Sequence, residues 1–172
     1  MNHLPKYWRI SLIWIVILVL GAGLIWPLPT LCIRQYDSDH RLFVPLLKAK
    51  TFSFYYLHSV QKTPVQENYV LASGNKLRLV STDYQSYGVG LPFLPEEGTL
   101  VNDNGKFRLT EINRLYSKID MAFMPLAEHA LLYEGKRYDF ERYFDAGSLL
   151  EITAADYSIF SLLWLMLEGG EK

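Results

Sequence analysis

The segment His58 to Tyr69, HSVQKTPVQENY, sets a histidine, a serine, a lysine and a glutamate within twelve residues. Ser59 and Lys62 stand in the Ser-x-x-Lys spacing that, on a helix, places a nucleophilic hydroxyl and its base on one face. The helix is essential, because a serine is activated only by a base within hydrogen-bond reach. Pro64 forbids helix continuation here, and the nearest equivalent of a companion Lys-Thr-Gly element is Lys62-Thr63-Pro64. Catalysis by this pair, as in penicillin-binding enzymes, is therefore disfavoured. Signal peptidases also join an anchor to a Ser/Lys dyad, but draw their lysine from a separate strand. A sortase-like reaction needs a cysteine within the β-structure, and the sole cysteine, Cys32, precedes the strands expected below.

Metal binding would draw on His40, His58 and His129, with Glu67 and Asp83 as companions. None of these shows a short ligand spacing such as His-x-x-x-His, so no metal site and no cofactor are expected. The segment reads better as a corner between strands. One strand ends near Val60, Gln61 to Pro64 turns the chain, and the next strand starts at Val65. Thr63, preceding a proline, is pushed to an extended conformation. The His58 and Ser59 side chains are placed to bond loop backbone groups, with Glu67 pairing with Lys62 or accepting from His58. A rigid polar corner of this kind can form the wall of a binding site.

A second stretch, TDYQSYGVGLP from Thr82 to Pro92, is its natural neighbour. Gly88 and Gly90 permit positive φ or close backbone approach. Tyr84, Ser86 and Tyr87 add polar tips on apolar bodies. As a phosphate loop it is poor, since neither a lysine nor a helix follows. The candidate ligand- or partner-binding residues are thus His58, Ser59, Lys62, Thr63, Glu67, Tyr84, Ser86, Tyr87, Gly88, Gly90 and His129.

The elements that must position them are strands. Thr51 to Val60 alternates, with Phe52, Phe54, Tyr56 and His58 on one face. Val65 to Ala72, the turn Ser73 to Asn75, and Lys76 to Tyr84 read as a hairpin. In its second arm Leu77, Leu79 and Ser81 share one face, and Lys76, Arg78 and Val80 the other. Lys106 to Ile112 alternates after the turn Asn102 to Gly105, and Glu134-Gly135 marks a further hairpin. Ser148 to Ala154 reads as a closing strand, and Glu111 to Lys118 as a short helix. The fold class expected is all-β, a single sandwich or barrel-like domain, preceded by one N-terminal transmembrane helix.

That helix is read from Ile10 to Ile33, which carries no charged residue. A span of the hydrocarbon core needs about 20 apolar residues. Lys6 and Arg9 precede it, which places the N-terminus inside. Trp8 and Trp26 mark its ends, and Pro27 and Pro29 stop it. A cleaved signal peptide, cut near Gly21 to Gly23, is the rival; the apolar run through Leu24 to Trp26 favours a retained anchor. The expected divisions are 1–9 cytoplasmic, 10–30 anchor, 31–157 exported all-β domain, and 158–172 an apolar tail with helical character. The apolar run from Ile159 to Leu167 is too short to span a bilayer. The 172 residues carry a formal charge of −1 and no Lys/Arg cluster of the density that a phosphate backbone demands. Nucleic acid is not an expected partner; a membrane is.

HSVQKTPVQENY, TDYQSYGVGLP and the His129-containing stretch PLAEHALLYEGKRYDF (Pro125 to Phe140) together resemble a bacterial family catalogued as the domain of unknown function DUF1850. The resemblance spans roughly Thr51 to Thr153, with Val89 standing where alanine is expected. It implies a small exported or anchored protein of the kind often encoded beside TAXI-type TRAP transporters. With the N-terminal helix read above, the expected place is the bacterial cytoplasmic membrane, single-pass, with the N-terminus inside and the β-domain on the outer side. A transporter permease or solute-binding protein is the implied partner. The family label carries no catalytic residue to transfer. The expected role is that of a non-enzymatic accessory or binding subunit. The rivals are an envelope enzyme or metal-binding protein using His58, Lys62 and Glu67, and a structural envelope-assembly protein.

Overall fold

A computed structural model describes residues 6–85 and 98–168. The chain divides into two compact units, one formed by residues 1–28 and 156–172 and the other by residues 29–155. The first holds helix α1 (Lys6–Ile25) and helix α2 (Ile159–Glu168), which contact one another. α1 ends just ahead of Pro27, as that residue requires. No helix among the described residues is long and apolar enough to cross a membrane. The expected transmembrane span thus gains no support from the fold.

The second unit is built from two antiparallel sheets. The smaller runs β2 (Arg41–Pro45), β1 (Pro27–Gln35), β12 (Leu149–Ser158) and β9 (Ile119–Ala122). The larger is ordered β11 (Lys136–Asp139), β10 (Ala130–Tyr133), β3 (Thr51–Leu57), β4 (Pro64–Ala72), β5 (Lys76–Tyr84), β7 (Lys106–Thr110) and β6 (Thr99–Asp103). Strand β8 (Arg114–Tyr116) pairs with the first half of β5, beyond the reach of β7. Neither sheet closes into a barrel. Both contribute to one core: Leu31, Ile33, Val44, Leu150 and Ile152 from the smaller, Phe54, Val65, Leu77, Leu109 and Leu131 from the larger. Each such side chain removed from water contributes about 1.5–3 kcal/mol.

The turns follow their residues. β10 and β11 are joined through Glu134 and Gly135, both at positive φ, and β6 and β7 through Asn104 and Gly105, also both positive. Two successive positive φ values match the right-handed twist of the flanking strands.

Three expectations are corrected. Glu111 to Lys118 forms no helix: Glu111 takes φ +62, which breaks the backbone, and the residues after it are captured as β8 along the open edge of β5. Cys32, read as preceding the β-domain, lies within β1 and is buried there. Ser81 does not share a face with Leu77 and Leu79. Tyr69 pairs with Leu79 and Asn68 with Ser81, so Val80 is an extra residue in β5. A bulge of this kind reverses the alternation beyond it. Leu77 and Leu79 are buried before it, Thr82 and Tyr84 after it.

Gly98 begins the return into β6 at φ +153, and a Cβ there would lie 2.2 Å from the Thr110 carbonyl oxygen. Gly98→Ala should cost roughly 1–3 kcal/mol, the usual range for forcing atoms into a packed position. A lowered urea midpoint at unchanged slope is the expected result; an unchanged midpoint would show that β6 is not held against β7.

Candidate functional site

The bulge gives the larger sheet two differently composed faces. On the core side the strands place side chains in register across the sheet. Glu67 sits opposite Phe54 on one side and Thr82 on the other. A carboxylate here needs donors, and two tyrosines supply them. Tyr69 Oη donates to Glu67 at 2.7 Å and Tyr56 Oη at 3.2 Å. Both hydroxyls are pushed to higher pKa, first by burial and then by the Glu67 charge. The Thr82 hydroxyl, fully buried beside them, has no hydrogen-bond partner among the described residues.

His129 stacks on Tyr56 with centroids 5.8 Å apart and meets the edge of Phe123 at 6.0 Å. Its Nδ1 lies 3.3 Å from the Met124 carbonyl oxygen. Because a carbonyl can only accept, Nδ1 carries the proton there. Burial lowers the pKa of this imidazole, against the opposing pull of that bond.

His58 is used differently. The residue is 6% exposed, and its Nδ1 accepts from the backbone N–H groups of Val60 and Gln61 at 3.3 and 3.2 Å. The His58 N–H donates to the Thr63 carbonyl, and the Lys62 N–H to the His58 carbonyl, both at 2.9 Å. The imidazole therefore pins the turn it introduces. Ser59 and Lys62 are exposed in that turn, with Lys62 at φ +54, and Thr63 is half-buried. Glu67 binds the tyrosine hydroxyls rather than Lys62 or His58, because it faces the core while Lys62 faces solvent. Tyr84 is buried and stacks on Phe107 at 5.6 Å. Ser86, Tyr87, Gly88 and Gly90 lie outside the described residues. Among the described residues no group of three His, Cys, Asp or Glu side chains converges as a metal site would require.

The outer face carries a second constellation. Asn68 Oδ1 accepts from Ser53 Oγ at 2.7 Å and from Gln66 Nε2 at 2.9 Å. Asn68 Nδ2 donates to Ser81 Oγ at 3.0 Å and to Asp83 Oδ2 at 2.9 Å. Asp83 Oδ1 then accepts from Arg108 Nε on β7, its cross-strand partner. That bond, and then the Asp83 charge, raise the Arg108 pKa. An open hollow of about 510 Å³ lies beside this network, lined among others by Tyr55, Gln66, Asp83, Lys106, Phe107 and Arg108. Ligand pockets fall in the range of about 300–1,000 Å³.

Asn68, Ser53, Ser81 and Arg108 were not singled out from the sequence. The signal was present in the Gln66 and Asn68 alternation of β4, but their convergence with Ser81 and Asp83 depends on the bulge, which no spacing announces. Tyr56 and Tyr69 were legible only as strand aromatics.

The class defined by these observations is a two-sheet β-domain whose larger sheet carries an internal carboxylate–tyrosine cluster and an external polar network beside a hollow. The family model described as domain of unknown function DUF1850 matches residues 52–140, over half the chain, and the chain belongs to that family. The match runs from β3 through the β10–β11 hairpin and so contains both constellations. No curated protein and no solved structure matches the chain.

The tyrosines set a pH dependence. Each folded-state pKa stands above the roughly 10 of a free tyrosine, so the unfolded chain releases these protons first. Their contribution is full below that value and is lost as pH rises beyond it. Urea midpoints measured from pH 8 to pH 11 should fall at the alkaline end, and Tyr56→Phe should flatten the fall. An unchanged slope in the variant would show that Tyr56 is not buried against Glu67.

Proposed function

We propose that this protein is a membrane-attached, non-enzymatic accessory or binding subunit that works beside a solute transporter of the TRAP type. The observation that carries the membrane part of this reading is the surface of α1. Leu12, Ile13, Trp14 and Ile15 are consecutive, and all four are more than half exposed. Four successive helical residues sweep a full turn, so at this turn the apolar surface runs all round the helix instead of forming one stripe. A helix apolar on all sides suits lipid or a protein interior and not water. Phe160, Leu163 and Trp164 extend the same character onto α2. Attachment requires only that this helical pair be buried in the bilayer, with the β-domain on the outer side.

The non-enzymatic part rests on how the corner residues are employed. The acceptor nitrogen of His58 is occupied by amides of its own turn, and Glu67 by two tyrosines on the other side of the sheet from solvent. A reaction centre built on His58, Lys62 and Glu67 would need these groups turned toward one substrate. The transporter link rests on the family resemblance.

A photo-reactive residue placed at the exposed Val101 tests the reading in living cells. The expected outcome is recovery of the chain in carbonate-washed membranes, crosslinked to a transporter permease or solute receptor. Recovery in the soluble fraction, or membranes yielding no transporter component, would overturn it.

A further inference from the structure

The external network is larger than its own stability explains. An exposed ion pair contributes about 0–1 kcal/mol, yet Asp83 and Arg108 are braced by Ser53, Gln66, Asn68 and Ser81 across four strands. Asn68 uses both its oxygen and its amino group within this chain of bonds, which fixes Asp83 Oδ2. Asp83 in turn engages Arg108 through Nε, so the terminal Nη pair is the part of the guanidinium not committed to it. An arginine held by one edge presents its other donors in a set direction, the arrangement that gripping a carboxylate requires.

Lys106 lies two residues along the same strand and on the same face. Its Cα is therefore roughly 7 Å from that of Arg108, by the strand rise. Among the described residues, two cations against the single Asp83 carboxylate leave one net positive charge at the hollow. That balance matches a monoanion and leaves a dianion poorly compensated. The remaining walls are not those of an inorganic-ion site. Tyr55 and Val101 supply aromatic and aliphatic surface, and the Arg137 guanidinium lies 4.4 Å from the Tyr55 ring centre.

We infer that this hollow is a binding site for a small organic monocarboxylate with an apolar or aromatic body. The carboxylate sits on Arg108 and Lys106, and the body lies against Tyr55 and Val101. Asp83 and Asn68 are positioning residues: they touch Arg108 or each other and orient the cation. The inference rests on the reading of the chain as a binding subunit and names the class of its ligand.

The test is a titration of the full chain in lipid nanodiscs, following the Val101 methyl resonances. Phenylacetate is the probe, phenylacetamide its neutral counterpart, and inorganic phosphate the competing anion. A saturable shift with phenylacetate alone is expected, weakened at least tenfold by Arg108→Gln and by Lys106→Gln. Lys106 lies outside the hydrogen-bonded network, so its variant decides the matter if Arg108→Gln does not fold. The inference is overturned by the absence of a saturable shift, or by an equal shift with phenylacetamide or phosphate. It is equally overturned if affinity is unchanged in both variants. Binding is read here without any partner, so a failed crosslink leaves this result standing and a failed titration leaves the partner reading standing.

Discussion

The extra residue at Val80 decides what each face of the larger sheet can do. Without it, Ser81 and Asp83 would continue the core face set by Leu77 and Leu79, and Thr82 and Tyr84 would point to solvent. Burying an unpaired carboxylate among apolar side chains is prohibitive unless it is hydrogen-bonded or neutralised. With the bulge, Asp83 turns outward to meet Asn68 and Arg108, and Tyr84 turns inward to stack on Phe107. One inserted residue therefore creates both the outer polar network and the aromatic end of the core. It also fixes register, because any slip would carry Glu67, Thr82 and Asp83 to the wrong sides together.

Glu67 shows the converse constraint. It occupies a core-facing position flanked by Phe54 and Thr82, where a leucine would pack with less cost. Two tyrosine hydroxyls offset the desolvation of its charge, but a buried polar cluster of this sort is weak evidence for added stability. Its clearer effect is on geometry. Tyr56 is tied at its tip to Glu67 and along its ring to His129, which links β3, β4 and the start of β10. Removing the charge would leave two buried hydroxyls seeking partners, so the three side chains are interdependent.

Period-two alternation made most of the strands legible, and the positive-φ turns at Gly74, Gly105 and Gly135 made the hairpins so. Phe52, Phe54 and Tyr56 share the expected face, and His58 does bond its own loop. What alternation could not reveal was a break in its own phase. Val80 carries no glycine or proline to announce a bulge, so Ser81 was placed on the wrong side and the Asn68–Asp83–Arg108 set went unseen. Glu111 to Lys118 was misread for a related reason. Its helical look is local, whereas the open edge of β5 beyond β7 is a tertiary fact that captures the segment as a strand. Closure into a barrel was equally beyond reach, since strand order is not written in strand spacing.

The shape of the outer site bears on how it would work. Arg108 is 62% exposed at its side chain and Asp83 27%, so solvent screens any ligand held there. A site this open favours fast exchange over tight capture. Fast exchange would suit the proposed subunit, which would hand a ligand to, or sense it for, a neighbour. The proposed attachment by the apolar helices would raise the effective concentration of the two partners, and contacts too weak to persist in free solution would then suffice. The rigid bracing of Arg108 fits the same logic. When contact area is small and solvent is near, affinity depends on donors already aimed before the ligand arrives, and the Asn68–Asp83 relay aims them.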